Sequence, residues 1–165
     1  MALKLDREEF NKIYYSYVNL LYSVSYSYVH SKVIADDIVQ DVFVKLLLQE
    51  KSFNSNDYLK NWLVRVCINQ CKDYLKHNNL NVEFNENMMK NENKNNDLSE
   101  AVFKEVMNLK PKYKDVVILF YYQDFSLKEI AELLNCKVMT IGKRLQRARD
   151  ILKVRLNEYE FRWWN

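Results

Sequence analysis

The residues of this 165-residue chain best able to do chemistry are cations and amides, and their spacing suits binding rather than bond-making. Between residues 137 and 155, Lys137, Lys143, Arg144, Arg147, Arg149, Lys153 and Arg155 stand against Asp150 alone. This segment is net +6 in a chain whose total is +3, so the remainder is net −3. Charge concentrated in this way suits a polyanion. A second set, Asn61, Arg65, Lys72 and Lys76, falls on one side of a helix when residues are placed at about 100° each. No nucleophile stands in a recognisable pattern with a base, and there is no paired-carboxylate motif and no glycine-rich phosphate loop. The sequence therefore reads as that of a protein without catalytic residues or a cofactor. Cys67 and Cys71, four apart with His77 beyond, lack a fourth metal ligand and read as small buried hydrophobes rather than a zinc site.

The elements that must position these residues are helices. One glycine and one proline leave little material for hairpin turns, and 48% hydrophobic with 28% charged residues describes a globular, all-α chain. No apolar run approaches the eighteen or so residues of a membrane helix, and MALKLDREEF lacks the apolar core of an export signal. Three cysteines without a C-x-x-C pair point to reduced thiols in a cytoplasm.

Phe10, Ile13, Tyr14, Tyr17, Leu21, Val24 and Tyr28 mark a first amphipathic helix over 8–29. Ser31 caps a second that runs to about Gln49 with Ile34, Ile38, Val42 and Leu46 inside. After a polar loop from Lys51 to Asp57, Asn56 or Asp57 caps a third helix, Tyr58 to about His77. This third helix buries Leu59, Trp62, Leu63, Val66, Cys67 and Tyr74. Residues 78–97 have no sustained apolar period and read as a linker, net −2 from Glu83, Glu86, Glu92 and Asp97 against Lys90 and Lys94.

Beyond the linker, short helices are expected over 98–109 and, with Pro111 as first residue, to about Tyr122. Ser126 and Glu129 form a capping box that opens a helix ending at Leu134. Asn135, tolerant of a left-handed backbone, turns the chain with Cys136 and Lys137. The last helix runs from Val138 with Ile141, Leu145, Ala148 and Leu152 inside. A capped helix, a short turn and a second helix with a basic exposed face make a helix-turn-helix, whose second helix fits a major groove. Met139, Thr140, Lys143, Arg144 and Arg147 are its exposed candidates.

The stretch LKPKYKDVVILFYYQDFSLKEIAELLNCKVMTIGKRLQRARDIL resembles region 4 of bacterial sigma factors, in the extracytoplasmic-function (ECF) group of the sigma-70 family. ADDIVQDVFVKLL and LKNWLVRVCINQCKDYLK resemble region 2 of the same group, and together the resemblance spans about residues 7–156. It implies two small helical domains, region 2 over 7–78 and region 4 over 98–156, joined by a flexible linker over 79–97 that threads the RNA path of the polymerase. The implied partners are core RNA polymerase, through its clamp helices and flap, and promoter DNA, with an anti-sigma protein as a further candidate.

Carried onto this chain, the resemblance places Asp37, Gln40 and Asp41 on the clamp helices. These three share a helix face with Val44 and Leu47, and acids beside exposed apolar side chains suit a protein partner. It places a flipped base of the −10 element at Asn54, Ser55 and Asn56, and the phosphates of the opened strand along Arg65, Lys72 and Lys76. Trp62, a candidate for stacking, fits core packing better at its spacing. Lys137, Met139, Thr140, Lys143, Arg144 and Arg147 face the −35 element. The chain departs from the family at Asn135, usually glycine, and at Met139–Gly142, usually Gly-Thr-Val-Lys. A −35 preference is therefore not transferable. Two other readings are a sigma-like regulator acting without core polymerase and a helical interaction module whose basic tail contacts RNA. Neither needs the Asp37/Gln40/Asp41 face or the polar loop.

Overall fold

The computed structural model describes residues 5–50, 52–78 and 96–157, with the side chains of 96–99 left aside. The described residues are helical and contain no strand. They divide into two compact units, the first holding α1 (Arg7–Val29), α2 (Lys32–Leu48) and α3 (Asn56–His77). The second holds α4 (Asn96–Met107), α5 (Pro111–Val117), a π-turn (Ile118–Tyr122), α6 (Leu127–Leu134) and α7 (Val138–Asn157). No described helix is long and apolar enough to cross a membrane.

In the first unit each helix packs on the other two. An Asp6–Glu9 capping box starts α1: the Asp6 carboxylate accepts the Glu9 N–H at 2.8 Å, and Glu9 accepts the Asp6 N–H at 3.3 Å. His30 ends the helix in a left-handed conformation, φ 49°, and Ser31 at once caps α2 by accepting the Ile34 N–H. Burial lowers the His30 pKa to about 4 against the opposing effect of a backbone hydrogen bond at Ser27, so its imidazole is neutral at pH 7. With one glycine available, the chain places His30, Asp124 and Asn135 at positive φ. These are residue types for which that region costs least.

The core joins Leu21, Val24 and Tyr28 to Ile38, Val42, Phe43 and Leu46 and to Leu63, Val64, Cys67 and Ile68. Cys67 and Cys71 are buried in it, as their spacing predicts, and Ser25 Oγ lies 2.9 Å from Cys67 Sγ. The hydrogen bond with Cys67, with burial, pushes the Cys71 thiol up, so it stays protonated. Phe10, Ile13, Tyr14 and Tyr17 are half-buried instead of enclosed. Phe10 and Tyr14 pack against the Phe43 ring, whereas Ile13 and Tyr17 line an open cavity. Trp62, Val66 and Tyr74 are also only half-buried, because the stripe of α3 turns toward Val64, Ile68 and Cys71.

In the second unit α7 packs against α4, α5 and α6. Helix α4 starts at Asn96, two residues before the expected Leu98, and so takes Asp97 out of the predicted linker. The predicted helix from Pro111 to Tyr122 is an α-helix only to Val117, after which the Gln123 N–H reaches the Ile118 carbonyl across a π-turn. Val116, Val117, Ile118 and Leu119 are all buried, more consecutive residues than one α-helical stripe encloses, and the widened turn accommodates them. The remaining linker residues, 79–95, and the aromatic tail with Tyr159, Phe161, Trp163 and Trp164 lie outside the described residues.

Candidate nucleic-acid interface

The helix-turn-helix is built as its sequence dictates. Ser126 Oγ accepts the Glu129 N–H at 3.1 Å and Glu129 returns to the Ser126 N–H at 3.2 Å. Two otherwise unpaired donors at the start of α6 are satisfied in this way. Ile130, Ala131 and Leu133 are buried. Asn135, at φ 54° and ψ 48°, closes α6, and the Cys136 N–H bonds to the Ala131 carbonyl at 2.9 Å. Helix α7 then buries Ile141, Leu145, Ala148, Leu152 and Leu156, which turns its opposite side outward.

On that outward side Met139 is 72% exposed, and Lys137, Lys143 and Arg147 are exposed. Thr140 and Arg144, expected to be exposed, are half-buried. Both flank the buried stripe of α7. Gly142 has nothing within 4 Å of where a Cβ would stand. Two cations of the basic segment are used inside the unit. The Arg149 Nε donates to the Tyr121 hydroxyl at 2.6 Å, with its guanidinium 5.6 Å from that ring, and Arg155 pairs with Glu105 at 3.7 Å.

In the first unit the loop before α3 supplies a second polar surface. Ser55, not Asn56 or Asp57, caps α3, its Oγ accepting the Tyr58 N–H at 3.1 Å. Asn54 and Ser55 therefore lie in the loop while Asn56 is the first helical residue, and all three are exposed. Because Ser55 Oγ is occupied as a cap acceptor, Asn54 and Asn56 carry the larger free hydrogen-bonding capacity. The Tyr17 hydroxyl donates to the Asn56 carbonyl at 3.4 Å, tying the loop to α1. Between loop and helix lies a cavity of about 590 Å³, whose wall includes Lys12, Ser16, Gln49, Asn54 and Asn56. This volume lies in the range of small-ligand pockets and exceeds what a nucleobase needs.

Along α3, Arg65 and Lys76 are exposed and Lys72 is half-buried. Trp62 meets Phe53 edge to face at 5.4 Å between centroids. Helix α2 shows the opposite charge. Asp37, Gln40 and Asp41 are exposed, and Val44, Leu47 and Leu48 are 52%, 49% and 74% exposed. Their buried counterparts on α2 are Ile38, Val42 and Leu46.

Profiles of two regions of one family match the chain: sigma-70 region 2 over residues 13–80 and sigma-70 region 4 over residues 99–152. The chain is an ECF sigma factor of the sigma-70 family. It is 25% identical to the ECF RNA polymerase sigma factor SigW of Bacillus subtilis, over 94% of this chain and 92% of that one. It is 27% identical to the ECF RNA polymerase sigma-E factor of Haemophilus influenzae, over 90% of this chain and 87% of the other. The fold resembles that of RpoE of Bartonella quintana, solved with the anti-sigma factor NepR, at TM-score 0.70 and 20% identity over 91% of this chain and 98% of that one. It resembles CnrH, solved with the cytosolic domain of CnrY, at TM-score 0.69 and 21% identity over 93% and 90%.

As an RNA polymerase sigma factor, the protein acts in promoter recognition and the initiation of transcription. Two features of this sigma factor escape sequence reasoning. The α1 wall of the loop cavity depends on packing between elements distant in sequence. The Arg149–Tyr121 bond joins α7 to a residue of the π-turn twenty-eight positions earlier. Tyr58, 64% exposed at the start of α3, was open to detection from its position on the helical wheel, but Trp62 is the aromatic that the sequence brings forward.

Proposed function

We propose that the two units divide promoter recognition between them, with region 2 over residues 7–78, a linker shortened to 79–95 by the start of α4 at Asn96, and region 4 from there to 156. In the first unit, Asp37, Gln40, Asp41, Val44 and Leu47 dock on the polymerase clamp helices. The cavity bordered by Asn54, Ser55 and Asn56 takes a flipped −10 base, and Arg65, Lys72 and Lys76 follow the phosphates of the opened strand. In the second, Lys137, Met139, Thr140, Lys143, Arg144 and Arg147 face the −35 element. The protein itself performs no catalysis; nucleotide addition belongs to the polymerase. Three free cysteines fit work in the reducing cytoplasm. An anti-sigma factor is a further partner, by analogy with the complexes of RpoE and CnrH.

The observation that carries the docking reading is α2 itself. It exposes acids and aliphatic side chains on one face while burying Ile38, Val42 and Leu46 on the other, with Ile34 of the predicted stripe only half-buried. Such a face is suited to a basic, partly apolar partner helix. Asp37→Lys with Asp41→Lys is expected to lower affinity for core polymerase at least about tenfold, since like charges now meet across the interface. The thermal unfolding midpoint should hold, because both side chains are exposed. Unchanged affinity in the double variant would remove this face from the interface.

A further inference from the structure

We propose that residues 158–165 fold back along α7, cover Ile151 and Val154 and lay an aromatic ring over the Arg147 guanidinium, so that this segment competes with DNA for the outer face of its own helix-turn-helix. The competition rests on reading that face as the binder of the −35 element; the docking itself does not. Ile151, Arg147, Arg144 and Thr140 precede Val154 by three, seven, ten and fourteen residues. At about 100° per residue all five fall within about 80° on one side of α7. The half of this face nearer the turn is polar and cationic. Its other half is aliphatic, with Val154 67% exposed and Ile151 half-buried. A recognition helix meets base edges with its first residues, and phosphates gain nothing from an aliphatic pair farther along. Ile151 and Val154 therefore suit an apolar cover better than DNA.

A segment of matching chemistry follows at once. Beyond Asn157 come eight residues, four of them aromatic: Tyr159, Phe161, Trp163 and Trp164. Glu158 and Glu160 against Arg162 make these eight net −1, beside the net +6 of residues 137–155. Helix α7 rises about 1.5 Å per residue, so Val154, Ile151 and Arg147 stand about 5, 9 and 15 Å back from Asn157. Extended chain covers about 3.3 Å per residue, which gives Phe161 a reach of about 13 Å and Trp163 about 20 Å. A segment that reverses at Glu158 can thus set Phe161 on the aliphatic pair and Trp163 on Arg147, where a cation–π contact is favourable. Arg147 is exposed, whereas Arg149 and Arg155 are engaged with Tyr121 and Glu105.

The test follows the methyl signals of Ile151 and Val154 by NMR in the full chain, alone and titrated with a duplex. The duplex carries the −35 segment of a promoter that the reconstituted holoenzyme selects from a fragment library. Aromatic rings packed on these methyl groups displace their signals, and the combined variant Phe161→Ala, Trp163→Ala and Trp164→Ala should remove that displacement. The same variant should bind the duplex about 3- to 10-fold more tightly, the factor by which a cover in place for most of the time lowers apparent affinity. Val154→Gln, at an exposed site, should reproduce part of this gain with an unchanged thermal midpoint. Methyl signals that stay in place in the triple variant would overturn the docking and leave the aliphatic pair to polymerase or DNA. Signals that move while duplex affinity holds would overturn the competition. Arg147→Ala in the triple-variant background checks the −35 reading separately: if it leaves duplex binding unchanged, that reading fails, and the methyl signals still decide the docking.

Discussion

The two cationic helices of this sigma factor, α3 and α7, are built differently. On α3 the cations are spaced out by Asn61 and Asn69, share their face with an exposed tyrosine, and begin beside a cavity. On α7 they are dense: six cations in twenty residues, with a seventh, Lys137, in the tight turn that leads into it from a capped helix. On the proposed division of the promoter, the difference corresponds to two states of DNA. A duplex hides its bases and presents phosphates at high density, so dense charge on a rigidly held helix binds it best. An opened strand presents fewer charges and free base faces, so pockets and rings contribute a larger share. The α2 face of the same unit is acidic and aliphatic, and it is the face proposed to meet protein.

The largest expected effect that sharpens this comparison lies on α7. If Arg144 reads a base, Arg144→Ala costs about 1–3 kcal/mol of holoenzyme binding and relaxes preference at one −35 position. If Arg147 on the same helix only touches phosphate, Arg147→Ala should weaken binding to all sequences alike and lower the salt slope by about one unit. Both are measured in holoenzyme on promoter fragments permuted at −35. If Arg144→Ala changes the salt slope but leaves the preference intact, Thr140 or Lys143 becomes the better reader.

A smaller effect, opposite in sign, concerns Gly142. With open space at its missing Cβ, Gly142→Ala should stabilise the free protein by about 0.4–1 kcal/mol, read from thermal or denaturant unfolding. If the backbone of α7 approaches DNA at this point, the same variant should bind −35 DNA more weakly although it is more stable. Equal binding would show that no close approach depends on the glycine.

The helix-turn-helix was almost fully legible in the sequence because its determinants are local. Ser126, Glu129 and Asn135 each act within a few residues of themselves, and the structure places each in its expected cap. The outward α2 face was legible for the same reason, from helical spacing alone. The start of α3 was less so. Ser55 competes there with Asn56 and Asp57 as a cap, and only the backbone conformation at Ser55, φ −156°, decides among three residues of similar capping strength. The π-turn was not legible, since four consecutive apolar residues fit either a buried α-helix or a widened turn. The pairing of Arg149 with Tyr121 joins residues twenty-eight apart, and no local rule predicts it. For that reason counting cations overstated the charge of α7 left for DNA: Arg149 and Arg155 are engaged within the unit.

The most direct test of the central claim, that one chain both docks on core polymerase and selects promoters, is run-off transcription on a library of promoter fragments. The measurement compares core polymerase alone, this protein alone, and both together. The account predicts discrete promoter-dependent products only with both, lost on combined charge reversal at Asp37 and Asp41. No association with core, under conditions where a control sigma factor binds it, would contradict the account.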